Sequence, residues 1–251
     1  MTAYHGGKQR IGKKIAQIIV DEIIDFNDIK GYCEPFAGML GVYQHIPELF
    51  KKKNLNLIYE AGDINESVIK MLNAAKNGWK PPTENYGKEN WYRLKNNGES
   101  SAIKGFVGHC NTFRGQYFNS YFAHPNTKIK TNSERVISIG KKLHKYNIQL
   151  SHNDYTQYSD LKGYVIYCDP PYSQTNSLYY KGDSNTKLNF DSEIFFDWCR
   201  KMSQKNIVFV SEYNCPPDFK MIWSKIGKLS GLRKGDSNIK RTEKLFVLYP
   251  N

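Results

Sequence analysis

The apolar positions of the chain follow two alternating patterns. In residues 11–24 and 192–202 they recur at the spacing of an amphipathic helix, and Asn65 is placed to cap a further helix. Short continuous apolar runs lie between these segments and predict buried β-strands. The predicted strands cover residues 31–36, 55–59, 148–150, 164–168, 207–211 and 245–249. The helix after Asn65 is predicted to face a core with Val68, Ile69, Met71 and Leu72.

One long segment interrupts this alternation. From about residue 75 to residue 146 the chain is rich in Asn, Gly, Lys and aromatic residues, contains Pro81-Pro82, and has no run typical of a buried strand. We interpret it as an insertion and place a catalytic domain at 1–66 and 147–251, with a mainly helical inserted domain carrying a hairpin at 67–146. The alternating strands and helices predict a doubly wound α/β sheet, whose ligands bind beyond the carboxyl ends of the strands.

Asp169-Pro170-Pro171-Tyr172 follows the predicted strand 164–168 and is therefore expected at such an end. The prolines restrict the backbone. The segment can hold an amino group between the carboxylate and a prolyl carbonyl, while the tyrosine stacks on the ring that bears the amine. The alternative is a Pro-Pro turn that ends a buried strand. Glu34 ends another predicted strand; it is either a solvated acid or a cofactor contact, and we leave it out of the catalytic set.

Charge and cysteine content narrow the class of protein. The chain has 251 residues, with 36 Lys and Arg against 24 Asp and Glu, and its formal charge of +12 favours a polyanionic partner, nucleic acid above all. No apolar run approaches the roughly 18 residues of a membrane span, and no signal peptide is seen, so we predict a soluble intracellular protein without a membrane partner. The five cysteines are scattered, which argues against a structural zinc or a disulfide framework.

The motifs together resemble those of the Dam-type DNA adenine N6-methyltransferases of the α arrangement, which use S-adenosylmethionine. The resemblance is carried, in order, by Tyr4-His5-Gly6-Gly7-Lys8, Glu34-Pro35-Phe36-Ala37-Gly38, Ala61-Gly62-Asp63-Ile64-Asn65, Asn153-Asp154-Tyr155 and Asp169-Pro170-Pro171-Tyr172. It implies a Rossmann-like mixed sheet of the class I methyltransferases, with 67–146 as the target-recognition domain. The implied reaction is methyl transfer to the N6 amine of a flipped adenine in duplex DNA, with S-adenosylhomocysteine (SAH) as product and no metal.

The resemblance also implies site residues. The implied catalytic residues are Asp169, Pro170 and Tyr172. The implied cofactor residues are Tyr4, Lys8, Phe36, Gly38, Asp63, Asp154, Tyr155 and Asp169. In this assignment the first four surround the methionine part, Asp63 accepts the ribose hydroxyls, and Asp154 and Tyr155 border the adenine. One position departs from the family pattern, because Leu40 stands where a second glycine is usual, and we expect it to reshape the turn.

The DNA side of the resemblance lies in residues 108–118, which are similar to the Asn-x-x-Arg-Gly recognition hairpin. In this assignment Arg114 reads a guanine edge, Asn111 and Thr112 contact phosphate or base, and Phe113 is a wedge beside the flipped site. The alternative is an aromatic turn with a surface arginine. Two further expectations are a phosphate clamp in the basic segment 233–241 and a loop at 173–189 that closes over the substrate. The basic run 51–53 is typical of a solvated face.

Two rival functions stay open at this stage. One is methylation of another amine, RNA adenine first, and the other is an inactive DNA-binding relic of the fold. A GATC-like site is the first DNA target to test, and a cognate restriction endonuclease is an open partner.

Overall fold

A computed structural model describes most of the chain. The described residues are 7–23, 29–172, 190–228 and 240–250. Tyr4, the loop proposed at 173–189 and most of the basic segment 233–241 therefore lie outside the described residues.

Helices and strands alternate along the described chain. The helices are Gly12–Glu22 (α1), Ile46–Lys52 (α2), Glu66–Lys76 (α3), Lys88–Asn96 (α4), Ala102–Cys110 (α5), Asn126–Lys145 (α6) and Ser192–Ser203 (α7). The strands are Gly31–Glu34 (β1), Ile58–Asp63 (β2), Gln149–His152 (β3), Tyr164–Cys168 (β4), Ile207–Glu212 (β5), Lys220–Lys228 (β6) and Lys240–Leu248 (β7).

The strands form one mixed sheet in the order β3-β2-β1-β4-β5-β7-β6. The first five strands of that order are parallel, and β7 is antiparallel to both of its neighbours. This is a Rossmann-like, doubly wound mixed α/β sheet, so the predicted fold class is confirmed. Strand β1 lies between β2 and β4 in the sheet, so the strand order reverses direction at β1. A crevice therefore opens between the carboxyl ends of β1 and β4, where ligands of such sheets bind.

Most of the predicted elements are present. Helix α1 fills the predicted segment except at its ends, β4 coincides with its prediction, and the Asn65 side chain accepts the Val68 N–H at 3.1 Å at the start of α3. The strand predicted at 55–59 is wrong in its bounds, because pairing with β1 begins only at Ile58 and runs on to Asp63.

Strand β6 was missed by the sequence analysis. It is an edge strand, paired on one side with β7. Its Met221 and Ile226 are more than half exposed, so its burial does not follow the alternation that marks a half-buried strand.

The inserted helices share a core with the sheet. Trp91 of α4, Phe106 of α5 and Val136 of α6 belong to the same buried cluster as residues of α1, β1 and β7. Helices α3 and α5 lie so close at Gly105 that a Cβ there would be 2.2 Å from the Ser67 carbonyl oxygen. The proposed boundary at residue 67 falls inside α3, and the division into two domains stays a prediction.

The described residues were searched for membrane-spanning helices, metal sites and disulfides. None of their helices is both long and apolar enough to cross a membrane. Within the same ranges, no group of three or more His, Cys, Asp or Glu side chains is placed to hold a metal ion. All five cysteines are free thiols, and only Cys215 is more than slightly exposed.

Candidate active site

The turn after β1, residues 35–41, is held against the end of β2. The Asp63 carboxylate accepts the Gly38 N–H and the Asn65 N–H, each at 2.8 Å, and the Ala37 N–H donates to the Gly62 carbonyl, also at 2.8 Å. Asp63 is only 3% exposed. Asp63 therefore orders the turn that the resemblance assigns to the cofactor.

Leu40 takes the backbone conformation that usually requires glycine. Its φ is 54°, its N–H donates to the Ala37 carbonyl at 2.7 Å, and its side chain is buried, with 1% exposed. The side chain belongs to the core cluster that contains residues of α1 and β1. Leu40 therefore gives the turn a left-handed residue and places its side chain in the core.

The same turn brings the segment before α1 into the site. A Cβ at Gly12 would lie 2.0 Å from the Gly41 carbonyl oxygen, and one at Gly41 would lie 3.0 Å from the Lys8 backbone nitrogen. Glycine at both positions allows this close approach of two backbones. It places Lys8, which is 161 positions away from Asp169 in the sequence, beside the end of β4.

Aromatic rings form one wall near the turn. The Phe36 and Tyr155 rings are stacked with centroids 5.4 Å apart, and Tyr155 meets Phe195 and Trp198 edge-on. Asp154 caps the short helix that begins at Tyr155, because its carboxylate accepts the Thr156 N–H at 3.0 Å. Burial raises the pKa of Tyr155 to about 12, so the ring is neutral at physiological pH. Neutral, fixed rings of this kind suit a purine.

A network of charges lies at the end of β4. The Lys8 Nζ is 2.7 Å from Asp169 Oδ1, 3.1 Å from Glu243 Oε1 and 4.7 Å from the centre of the Tyr172 ring. The Tyr172 hydroxyl donates to Glu243. The structure thus brings together three residues predicted from the sequence, Lys8, Asp169 and Tyr172, and adds Glu243. In the sequence, Glu243 stands out only as an acid between basic residues just before the last apolar run. That pattern does not reveal that Glu243 contacts Lys8 and Tyr172.

Burial and the neighbouring charges shift the pKa values of Asp169 and Lys8 in this network. Burial raises the pKa of Asp169 to about 6; the Lys8 charge opposes this shift and the Glu243 charge adds to it. Burial lowers the pKa of Lys8, but its two carboxylate partners outweigh that effect and raise it overall. Asp169 is therefore a carboxylate that can still take a proton near neutral pH.

Glu34 does not lie in solvent. It is 2% exposed at the end of β1, it accepts the Tyr32 hydroxyl at 2.6 Å, and burial raises its pKa well above the usual range. Its interpretation as a solvated acid is wrong, because the side chain is buried and bonded to the Tyr32 hydroxyl.

The four predicted DNA-binding residues form a second group, in the insert. Thr112 pairs with Tyr121 in an antiparallel bridge, and the Phe113 N–H donates to the Ser120 carbonyl at 2.8 Å, so the segment turns back on itself. The Asn111 and Thr112 side chains are buried, and Thr112 accepts the indole N–H of Trp91 at 3.1 Å.

The next two side chains of the group face outwards. Phe113 is 46% exposed, Arg114 is also exposed, and the guanidinium lies 5.1 Å from the centre of the Phe113 ring. In this conformation the exposed contact surface is thus formed by Phe113 and Arg114.

The solved structures that match this chain do so at low sequence identity and low TM-score. A protein of Listeria monocytogenes assigned to the class I S-adenosylmethionine-dependent methyltransferases has 9% identity and a TM-score of 0.44, over 95% of this chain and 59% of its own. A protein assigned as a methyltransferase and complexed with SAH has 11% identity and a TM-score of 0.36, over 99% and 56%. The rRNA methyltransferase aviRa from Streptomyces viridochromogenes has 11% identity and a TM-score of 0.36, over 94% and 84%. The chain thus spans less than two thirds of the first two proteins.

The sequence itself has a family match. A search of curated proteins finds no match to the chain. The sequence model of the D12 class N6 adenine-specific DNA methyltransferases matches residues 101–230, just over half of the 251 residues. The matched range contains the hairpin at Asn111–Arg114 and the Asp169–Tyr172 segment at the end of β4. The chain therefore belongs to the D12 class N6 adenine-specific DNA methyltransferase family.

Proposed function

We propose that the protein transfers a methyl group from S-adenosylmethionine to the N6 amine of adenine in duplex DNA, as a Dam-type enzyme of the α arrangement. The observation that carries the proposal is the position of Asp169-Pro170-Pro171-Tyr172. In a chain of an adenine methyltransferase family, this segment follows β4 at the crevice beside the turn after β1.

The residues around the crevice fit the proposed cofactor by their chemistry. Tyr155, preceded by Asp154, suits a border of its adenine, and the Asp63 carboxylate suits paired ribose hydroxyls. Phe36, which stacks on Tyr155, and Gly38 are proposed to line its methionine part. When bound, S-adenosylmethionine supplies an electrophilic methyl group. Lys8 suits the methionine carboxylate, and Tyr4 is proposed as its neighbour.

Asp169 and Pro170 act on the target amine. The nitrogen lone pair of adenine N6 is delocalised into the ring, so the amine is a poor nucleophile. Acceptance of its two N–H groups by the Asp169 carboxylate and the Pro170 carbonyl draws the nitrogen towards sp3 geometry and aims the lone pair at the methyl group. Lys8 takes one lone pair of Asp169 Oδ1, and the carboxylate keeps others for the amine. Asp169 or a water molecule takes the proton that leaves N6.

The DNA side requires a flipped base. Adenine in a duplex cannot reach this crevice, so it must leave the stack, and the Tyr172 ring is the surface proposed to receive it. Phe113 and Arg114 are proposed to contact the DNA beside the gap, with Arg114 on a guanine edge. The buried Asn111 and Thr112 would reach DNA only after the hairpin rearranges. The net charge of +12 supports a nucleic-acid substrate.

The decisive experiment is methyl transfer from labelled S-adenosylmethionine to unmethylated duplexes, GATC-containing first, with nucleoside analysis and modified-base sequencing. N6-methyladenine at a fixed motif is expected, and Asp169→Ala should abolish it while leaving some affinity for DNA. Methyl transfer to RNA but not to DNA would mean that the substrate is RNA and not duplex DNA. Cofactor binding without transfer to DNA or RNA, or no cofactor binding, would contradict the proposal. A cognate restriction endonuclease, if the organism makes one, should cleave the same unmethylated site.

A further inference from the structure

Glu243 lies in the antiparallel strand of the sheet, at the edge where the parallel strands end. It lies in β7, opposite Lys225 of β6, and the next residue, Lys244, pairs with Glu212 at the end of β5. Because β7 runs against the other strands, its first half lies at the edge where the parallel strands end. Glu243 therefore shares an edge with Asp169, which directly follows β4, although 74 positions separate them, 243 − 169.

The contacts of Glu243 differ from those of a surface ion pair. Its carboxylate is 3.1 Å from the Lys8 Nζ and accepts the Tyr172 hydroxyl. The exposed fractions of the two side chains in the ion pair are 8% for Lys8 and 21% for Glu243. A partly buried carboxylate that binds two site residues restrains both, because losing either contact leaves its charge less well compensated where water has limited access.

We propose that Glu243 is a positioning residue of the methyl-transfer site, which fixes the hydroxyl end of Tyr172 and holds the Lys8 ammonium against Asp169. The inference rests on the proposed function. Glu243 does not touch the reacting atoms in this assignment; it acts through the ring that receives the base and through the cation beside the acceptor carboxylate. The Tyr172 ring also packs against Tyr213 in a T-shaped arrangement with centroids 4.6 Å apart, and the Lys8 Nζ lies over the ring, 4.7 Å from its centre.

The charge of Glu243 should have a measurable effect on the pKa of Asp169. The titratable and charged groups that act on Asp169 are Lys8, Glu34, Tyr167, Tyr172 and Glu243. The negative charge of Glu243 raises the pKa of Asp169. Removing that charge while keeping the side-chain shape should therefore lower the pKa of Asp169 and move the acid limb of the pH–rate profile to lower pH.

The test compares Glu243→Gln with a matched control, Glu22→Gln. Glu22 has the same kinds of partner at another place, because it accepts the Tyr249 hydroxyl and lies 3.6 Å from the Lys220 Nζ. The measurements are kcat, KM for duplex DNA, the pH dependence of kcat/KM, and a ¹³C NMR titration of the Asp169 carboxyl, assigned with Asp169→Asn.

We expect Glu243→Gln to lower kcat by about tenfold or more, with a smaller change in KM, as the loss of a charged hydrogen bond predicts. The Asp169 titration should move to lower pH, and Glu22→Gln should change neither quantity. In a second set, Tyr172→Phe and Glu243→Ala should be coupled, so that the double variant loses less kcat than the product of the two single losses.

Two results would overturn the inference while leaving the proposed function intact. One is an active wild type in which Glu243→Gln behaves like Glu22→Gln in kcat and in the Asp169 titration. The other is full additivity of Tyr172→Phe and Glu243→Ala in variants with wild-type melting temperatures. An inactive wild type would instead overturn the proposed function, and the NMR titration would still show whether Glu243 acts on Asp169.

Discussion

Leu40 offers a quantitative test of the turn after β1. Its φ of 54° lies in the left-handed region, where a side chain costs about 1–2 kcal/mol relative to glycine. Its side chain is also 99% buried, so removing it costs on the order of 2–5 kcal/mol. Burial and backbone strain therefore act in opposite directions at one residue, and comparing two truncations separates them.

The perturbation is the pair Leu40→Ala and Leu40→Gly, beside Leu72→Ala and Leu72→Gly. Leu72 is fully buried in α3, where the backbone is helical. Both Leu→Ala changes should be strongly destabilising. The further step from Ala to Gly removes a buried methyl group and adds unfolded-state entropy at both sites, but only at Leu40 does it also relieve positive-φ strain. The Ala-to-Gly step should therefore cost about 1–2 kcal/mol less at residue 40 than at residue 72.

The assay is urea unfolding followed by tryptophan fluorescence, with the free energies compared at equal m-values. Leu40→Gly is expected to be nearly as stable as Leu40→Ala, whereas Leu72→Gly falls clearly below Leu72→Ala. Equal Ala-to-Gly steps at the two sites would refute the reasoning, because they would mean that Leu40 does not bear backbone strain in the folded protein.

Three more predictions concern the site and the insert. The kcat/KM for methyl transfer should fall as pH drops through about 6, because protonated Asp169 no longer offers a full carboxylate to the amine; a flat profile from pH 8 to 5 would contradict this. Arg114→Ala should weaken discrimination at one base pair by about 1–3 kcal/mol, measured on single-substituted duplexes, whereas the exposed Lys51→Ala should leave the preference unchanged. Gly105→Ala should destabilise the fold by about 1–3 kcal/mol, because its Cβ would meet an α3 carbonyl oxygen, while Gly98→Ala, which has open space, should not; the melting temperatures decide.

The local elements and the type of sheet were predictable because they depend on local pattern. The continuous apolar run at Tyr164–Cys168 forms β4, and Asn65 caps α3 with its own side chain. Both follow from interactions within a few residues. The motif around Asp169 could likewise be placed at a strand end, because the carboxyl ends of parallel strands share one edge of the sheet.

The composition of the site depended on contacts between distant parts of the chain. Glu243 reaches Lys8 and Tyr172 because β7 runs antiparallel, and no local pattern shows which strand reverses. Asn111 and Thr112 are polar, yet the fold buries both, and Thr112 is bonded to Trp91 of α4, 21 positions earlier in the chain. The sequence by itself determined most of the strands, the Asn65 cap and the chemistry of the motifs, since these are set largely by neighbouring residues. The tertiary structure decided which charges meet and which polar side chains leave the solvent, since burial and charge pairing depend on residues far apart in the chain.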